Sequence, residues 1–311
     1  MTISTAAPPV VDQHVFLIGR PPISEFLTYV RNLAVNARTR DEGQLMEEWR
    51  VANDRVRELE TTEAGIADDP PIQPLPEEMR ELAKAVLADP QFVQAFRLVR
   101  HEIVMVELDR MVVFQKHINL MHVDAIRKRL PERQLTPEEL FNLCIPLDVP
   151  SVPVRIAKTA PNSFTFVSPS RDFRYVEPVL LDPGQVSGYD RMGPVTAILG
   201  IVVGYGSNYL NAIHAEGRLV LTNGSHRAYA LREHGITHVP CIVQDVTRAE
   251  ELEMVGADEV RHYPDRYLRT PRPPMLKDYF DDRLRKILQV ARKHRMITLS
   301  FGVDVSDIPG E

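Results

Sequence analysis

The densest run of chemically capable residues in the chain is Thr222, Asn223, Gly224, Ser225, His226 and Arg227. RLVLTNG before it reads as a strand and SHRAYALREHG after it as a helix, so the run falls where a strand meets a helix's first turn. Backbone N–H groups at such a junction lack intrahelical partners and face the positive end of the dipole, which suits a phosphate. Gly224 allows close backbone approach, Ser225 can cap the helix and offer a hydroxyl, and His226 and Arg227 add charge-assisted donors. The same residues also fit a plainer use, with Asn223 and Gly224 making a turn, Ser225 a cap and Arg227 a solvated or salt-bridged side chain.

Around this run the order is strand, Gly turn, helix, Gly235 stop and a last strand opened by Pro240, which predicts one β-α-β unit. Upstream, EIVMVELDRMVVF alternates as a strand, and QKHINLMHVDAIRKRL reads as a loop and then a helix with a basic last turn. The first hundred residues are expected to be mostly helical after an extended, proline-bearing arm over 1–22. Phe26, Leu27, Val30 and Leu33 mark one buried helix face, and Leu45, Trp49, Ala52, Val56 and Leu59 mark another. Two short helices follow, over 76–87 and 91–100. Residues 131–194 are proline-interrupted, with SVPVRIA and SFTFVS as expected strands. A charged helix is predicted at TRAEELEMVG, then a proline strap, RTPRPP, and an amphipathic helix burying Leu284, Ile287, Leu288 and Ala291.

LTNGSHRAYALREHGITHVPCIVQDV resembles the nucleotide-binding segment of the ParB/sulfiredoxin superfamily, in which a strand enters a Gly-x-x-Arg turn, a helix, a Gly and a Val-Pro strand. VELDRMVVFQKHINLMHVDAIRKRL is similar to the opening of that domain and stands in the right order. The resemblance implies an α+β fold: a small mixed sheet with helices, flanked by a helical N-terminal region and a helical C-terminal extension. On that basis 1–100 is the helical region, 101–247 the ParB/sulfiredoxin-like domain with a long insertion at about 131–194, and 248–311 the extension. It also implies that Thr222, Asn223, Gly224, Ser225, His226 and Arg227 surround nucleotide phosphates, with Gln115 and Lys116 as further contacts. The nucleotide would be ATP or ADP, or CTP, with or without Mg²⁺. Ser225 stands where sulfiredoxins carry a catalytic cysteine, which argues against sulfinic-acid reduction.

Phosphoryl transfer needs a phosphate cradle, a cationic or metal stabiliser and a group that positions the attacking oxygen. Glu107, Asp109 and His117 are the candidate bases, with His226 as a further catalytic candidate; the resemblance places their segment beside the turn without choosing among them. The expected function is a nucleotide-binding protein that transfers phosphate to a small hydroxylated metabolite. The alternative is a non-catalytic, nucleotide-responsive module acting on a protein or nucleic-acid partner.

Composition sets the outer limits. The 311 residues carry 37 Lys+Arg against 43 Asp+Glu, a net charge of −6 that argues against DNA binding by bulk electrostatics. Cys144 and Cys241 are too few for a disulfide framework or a cysteine zinc site. His214, His226, His234 and His238 match no metal-ligand spacing, so no metal site is expected. No signal-peptide pattern or membrane-length apolar run is present, and a soluble cytoplasmic chain is expected. The N-terminal helices are open to a role as a homodimer contact or a protein-docking surface. The 25 prolines against 15 glycines mark additions around a compact core.

Overall fold

In the computed structural model the chain is a mixed α+β protein, described over residues 10–20, 22–35, 41–147, 152–170, 172–188 and 193–309. The first third runs β1 (Val11–Leu17), α1 (Ile23–Leu33), α2 (Glu42–Thr62), β2 (Ile72–Gln73), α3 (Glu77–Leu87) and α4 (Pro90–Phe96). Then follow β3 (His101–Glu107), β4 (Val112–Val113), β5 (His117–Asn119), α5 (Leu120–Arg127) and α6 (Pro137–Cys144). Next are β6 (Arg155–Ala160), β7 (Ser163–Ser168), β8 (Arg174–Leu181), β9 (Ile198–Gly204), β10 (Asn211–Ala215) and β11 (Arg218–Asn223). The chain closes with α7 (Ser225–Glu233), β12 (His238–Val246), α8 (Ala249–Val255), α9 (Asp258–His262), β13 (Arg285–Ala291) and β14 (Arg295–Ser300). Among the described residues no helix is long and apolar enough to cross a membrane.

The chain divides into two compact units, Met1–Val149 with Ser207–Arg292, and Pro150–Gly206 with Lys293–Glu311. The larger unit holds a six-stranded sheet, β2-β3-β12-β10-β11-β4, and a three-stranded one, β13-β1-β5. Strand alternation sorts β1 cleanly. Val15 and Leu17 enter the main core with Ile118, while Phe16 and Ile18 pack with Phe26 and Val30 of α1, Ala52 of α2 and Leu288 and Val290 of β13. The main core also takes Met79, Ala83 and Val86 from α3 and Phe92 and Phe96 from α4, so these helices share one interior with the six-stranded sheet. The second unit has a three-stranded sheet, β14-β7-β6, and the β8-β9 pair. There Phe173 is buried beside the rings of Phe166 and Tyr205, and the Tyr205 hydroxyl donates to Val152 O at 3.0 Å.

Several expectations need correction. The strands on either side of α7 are not a parallel β-α-β pair. β10 lies between them, antiparallel to β11 and parallel to β12, so β11 and β12 run in opposite directions. The tight turn at Glu216 and Gly217, both at positive φ, makes β10-β11 a hairpin, and α7 carries the chain across to the far side of β10. The arm over 1–22 contains β1, the central strand of its sheet; the part of the arm over 1–9, and Pro21, lie outside the described residues. The final amphipathic helix is instead β13. Leu284, Ile287, Leu288 and Ala291 fit a helix face, but Ile287 is exposed while Leu288 and Val290, two residues apart, are buried on one strand face, and pairing with β1 along all seven residues decides the matter. Within the expected insertion lies α6, closed by a Thr136/Glu139 capping box, and its Phe141, Leu143 and Cys144 belong to the main core.

Candidate functional site

Gly224 ends β11 in the left-handed region at φ +91°, and a Cβ there would lie 3.1 Å from Leu210 Cα. The turn is tied on both sides. Thr222 Oγ1 donates to Asn211 O (3.0 Å) and Oδ1 (2.7 Å), Asn223 Nδ2 donates to Ser207 O (2.7 Å), and Asn223 Oδ1 accepts from the Gly224 N–H (2.8 Å). α7 then starts at Ser225 with no side-chain cap; its first intrahelical bond is Ala228 N–H to Gly224 O. The amides of Ser225, His226 and Arg227 precede that bond and stand at the positive end of the helix. The Ser225 side chain is buried and makes no cap, against the expectation from its type.

The charged side chains of the turn face inward. Arg227 is buried and donates through Nη1 to Cys144 O (2.5 Å) and Asn208 O (3.2 Å), and through Nη2 to Asn208 O (3.1 Å) and Oδ1 (2.8 Å). Its guanidinium therefore fastens the end of α6 and the Ser207–Asn208 loop to α7, and is not presented to a ligand. Burial lowers its pKa from the usual arginine value. His226 Nε2 accepts the Asn119 N–H at 3.1 Å, which assigns the ring proton to Nδ1. Burial, then the neighbouring His122, His117 and His14, push its pKa down to about 3, so the ring is neutral and supplies no positive charge. His122 meets His226 edge-on at 5.1 Å, and His14 stacks on His117 at 5.0 Å. Four histidines thus gather from β1, β5, α5 and α7. Among the described residues, however, no group of three or more His, Cys, Asp or Glu is arranged to hold a metal ion.

The candidate bases separate. Asp109 pairs with Arg232 in the last turn of α7 (Oδ1 to Nε, 3.0 Å), and Arg232 also lies over the Phe280 ring at 4.2 Å. At 1.5 Å per residue Arg232 is about 10 Å along the helix from Ser225. Glu107 faces His238 across β3 and β12, beyond the same end of α7. Neither carboxylate is beside the phosphate-type turn, because the helix between the two ends is the intervening distance. His117 alone of the three bases belongs with His226.

Gln115 and Lys116 line a cleft of about 280 Å³ on the other side of β5, walled by Asn53, Arg57 and Glu60 of α2, by Gly19 and Arg20, and by Arg266 and Tyr267. A neighbouring cavity of about 310 Å³ shares Phe114 and Lys116 and is lined by Tyr29, His117, Glu25 and Glu259. Lys116 is held by Glu25 and by Glu259 (3.4 Å). Gln115 gives its backbone oxygen to the Tyr279 hydroxyl. Sequence reasoning passed over Arg20, whose only signal was a lone cation ending the apolar run of β1.

No family model, no curated protein and no solved structure matches the chain.

Proposed function

We propose that the chain binds a nucleotide, ATP or ADP, through phosphate contacts at the start of α7, as its resemblance to the ParB/sulfiredoxin superfamily implies. The observation that supports this most directly is the uncapped first turn of α7, whose three amides follow a left-handed glycine at a strand's end. In this reading the phosphate contacts are main-chain, Arg227 is the strut that fixes the turn, and neutral His226 orients the neighbouring β5 through Asn119. The separation of Glu107 and Asp109 from the turn favours a nucleotide-responsive binding module. Transfer to a small hydroxylated metabolite is the second reading, and His117 beside His226 is what favours it.

Calorimetric titration of the full chain with ADP, ATP and CTP, with and without Mg²⁺, tests the first reading. Saturable heat that falls about tenfold or more in affinity in Gly224→Ala is expected, since a Cβ there disturbs the turn's geometry. No binding of any of the three at high micromolar protein overturns it. Turnover of ATP or ADP in the presence of a metabolite panel, abolished by His117→Gln, would decide for transfer. Bulk binding of duplex DNA, weakening as salt rises, is not expected from a chain of net charge −6.

A further inference from the structure

The side chain of Arg20 is only 14% exposed and lines the 280 Å³ cleft. Its Nη1 donates to Arg272 O at 2.7 Å, but Nε and Nη2 are buried with no hydrogen-bond partner among the described residues. The nearest carboxylate oxygen in an ion pair is Asp278 Oδ2, 3.9 Å from Nε and already committed. Asp278 takes both Arg272 Nη1 (2.5 Å) and Nη2 (2.6 Å), and the Met275 N–H (2.9 Å) as well. Arg272 also bonds Glu63, which in turn pairs with Lys277 at 2.8 Å. The network behind the cleft therefore joins three cations, Arg20, Arg272 and Lys277, to two carboxylates, Asp278 and Glu63.

A buried guanidinium left with unpartnered donors is costly unless an anion meets it. Burial accordingly pulls the Arg20 pKa down to about 10, opposed chiefly by Asp278 and reinforced by the adjacent Arg272. On the rest of the wall Arg57, Lys116 and Arg266 add positive charge against the one carboxylate of Glu60, while Leu17, Val56, Phe114 and Tyr267 supply apolar and aromatic surface. Asn53 is held against Gly19 O at 2.7 Å, and Gly19, at φ +86°, packs directly on the Ala52 backbone, so the loop carrying Arg20 is fixed on α2.

We propose that this cleft is a binding site for a small organic oxyanion, its phosphate or carboxylate group against the wall that Arg20 forms, where a small shift of the guanidinium frees the unpartnered Nε and Nη2, and its apolar body against Phe114 and Tyr267. Arginine's planar donors pair bidentately with either group. The site is separate from the start of α7, because none of residues 222–227 lines the cleft. The inference does not rest on nucleotide binding there.

Phenyl phosphate and benzoate, which share a ring and differ in the charged group, are titrated calorimetrically into the full chain, with inorganic phosphate as the bodiless probe. Binding of at least one ring-bearing probe, tighter than inorganic phosphate, is expected; whichever binds better identifies the head group. Arg20→Gln should weaken that binding about tenfold or more, the loss of one or two charge-assisted hydrogen bonds. Arg20→Lys should recover only part of it. Glu60→Gln, which removes the carboxylate on the same wall, should tighten it several-fold, and this arm stands even if an Arg20 variant fails to fold. Gly224→Ala should leave it unchanged. No binding of any probe at millimolar concentration, or binding indifferent to both Arg20→Gln and Glu60→Gln, would overturn the proposal.

Discussion

Two buried arginines sit in opposite electrical conditions. Arg227, at the start of α7, has its two terminal nitrogens taken up by Cys144 and Asn208 and holds three chain segments together. Arg20, in a stretch with no motif, is nearly as withdrawn from water yet keeps two nitrogens without hydrogen-bond partners at the wall of a cleft. Residue type and spacing located the first; only the tally of donors and acceptors located the second. A cation's worth to a ligand depends on what the fold has already asked of it.

Substitutions that treat the two arginines alike should break them apart. Arg227→Ala removes several charge-assisted hydrogen bonds from the interior and is expected to cost about 3 kcal/mol in denaturant unfolding. A loss below about 1 kcal/mol would mean that the guanidinium is not the strut described. Gly224→Ala combines an unfavourable φ with a 3.1 Å approach to Leu210, and about 1–2 kcal/mol should be lost. Arg20→Met, by contrast, deletes a poorly compensated buried charge, so its unfolding free energy should match or exceed that of the parent, within about 1 kcal/mol. A drop as large as that of Arg227→Ala would erase the distinction.

A further effect is a pH dependence carried by His226. The unfolded chain takes up a proton near pH 6.5 that the folded chain refuses until about pH 3. Protonation therefore favours the unfolded state throughout that window, and stability is lost as pH falls through it. Melting midpoints recorded from pH 7 down to pH 5 should decline, and His226→Gln should flatten the decline. An unchanged slope in that variant would place the titration elsewhere.

What could be read without coordinates followed the strength of local periodicity. α3, β7, α7 and α8 lie where apolar spacing and turn residues put them, since each pattern is self-contained. β13 was misassigned because Leu284, Ile287, Leu288 and Ala291 repeat at helical spacing while Leu288 and Val290 repeat at strand spacing, and only the partner strand β1 chooses between them. α6 went unnoticed inside proline-rich surroundings although Thr136, Pro137 and Glu139 spell a helix start. The opposed directions of β11 and β12 depend on β10 standing between them, a fact about pairing and not about either strand. At the site, the turn's backbone was legible in Gly224, whereas the inward aim of Arg227 and the distance of Asp109 from Ser225 required the packed helix. Arg20 had no local signal, because an orphaned donor is defined by all its neighbours at once.

The pairing of β1 with β13 also sets a clock. Val11 faces Ala291, and Asp12 is closed on Arg292 at 2.6 Å, so β1 finds this partner only across a long stretch of sequence. During synthesis that edge of β1 stays open until Arg285–Ala291 has emerged, and in refolding it closes across a very long loop. Until then Phe16 and Ile18 lack the Leu288 and Val290 side of their core. The strands of the six-stranded sheet end at Val246, and the later residues that bridge or cover it, Met275, Leu276 and Tyr279 among them, still precede Arg285, so it can be complete first. The protein would thus assemble its central sheet while its N-terminal strand is still waiting, and truncation shortly before Arg285 should leave the former with native-like structure and the latter exposed to pairing with other chains.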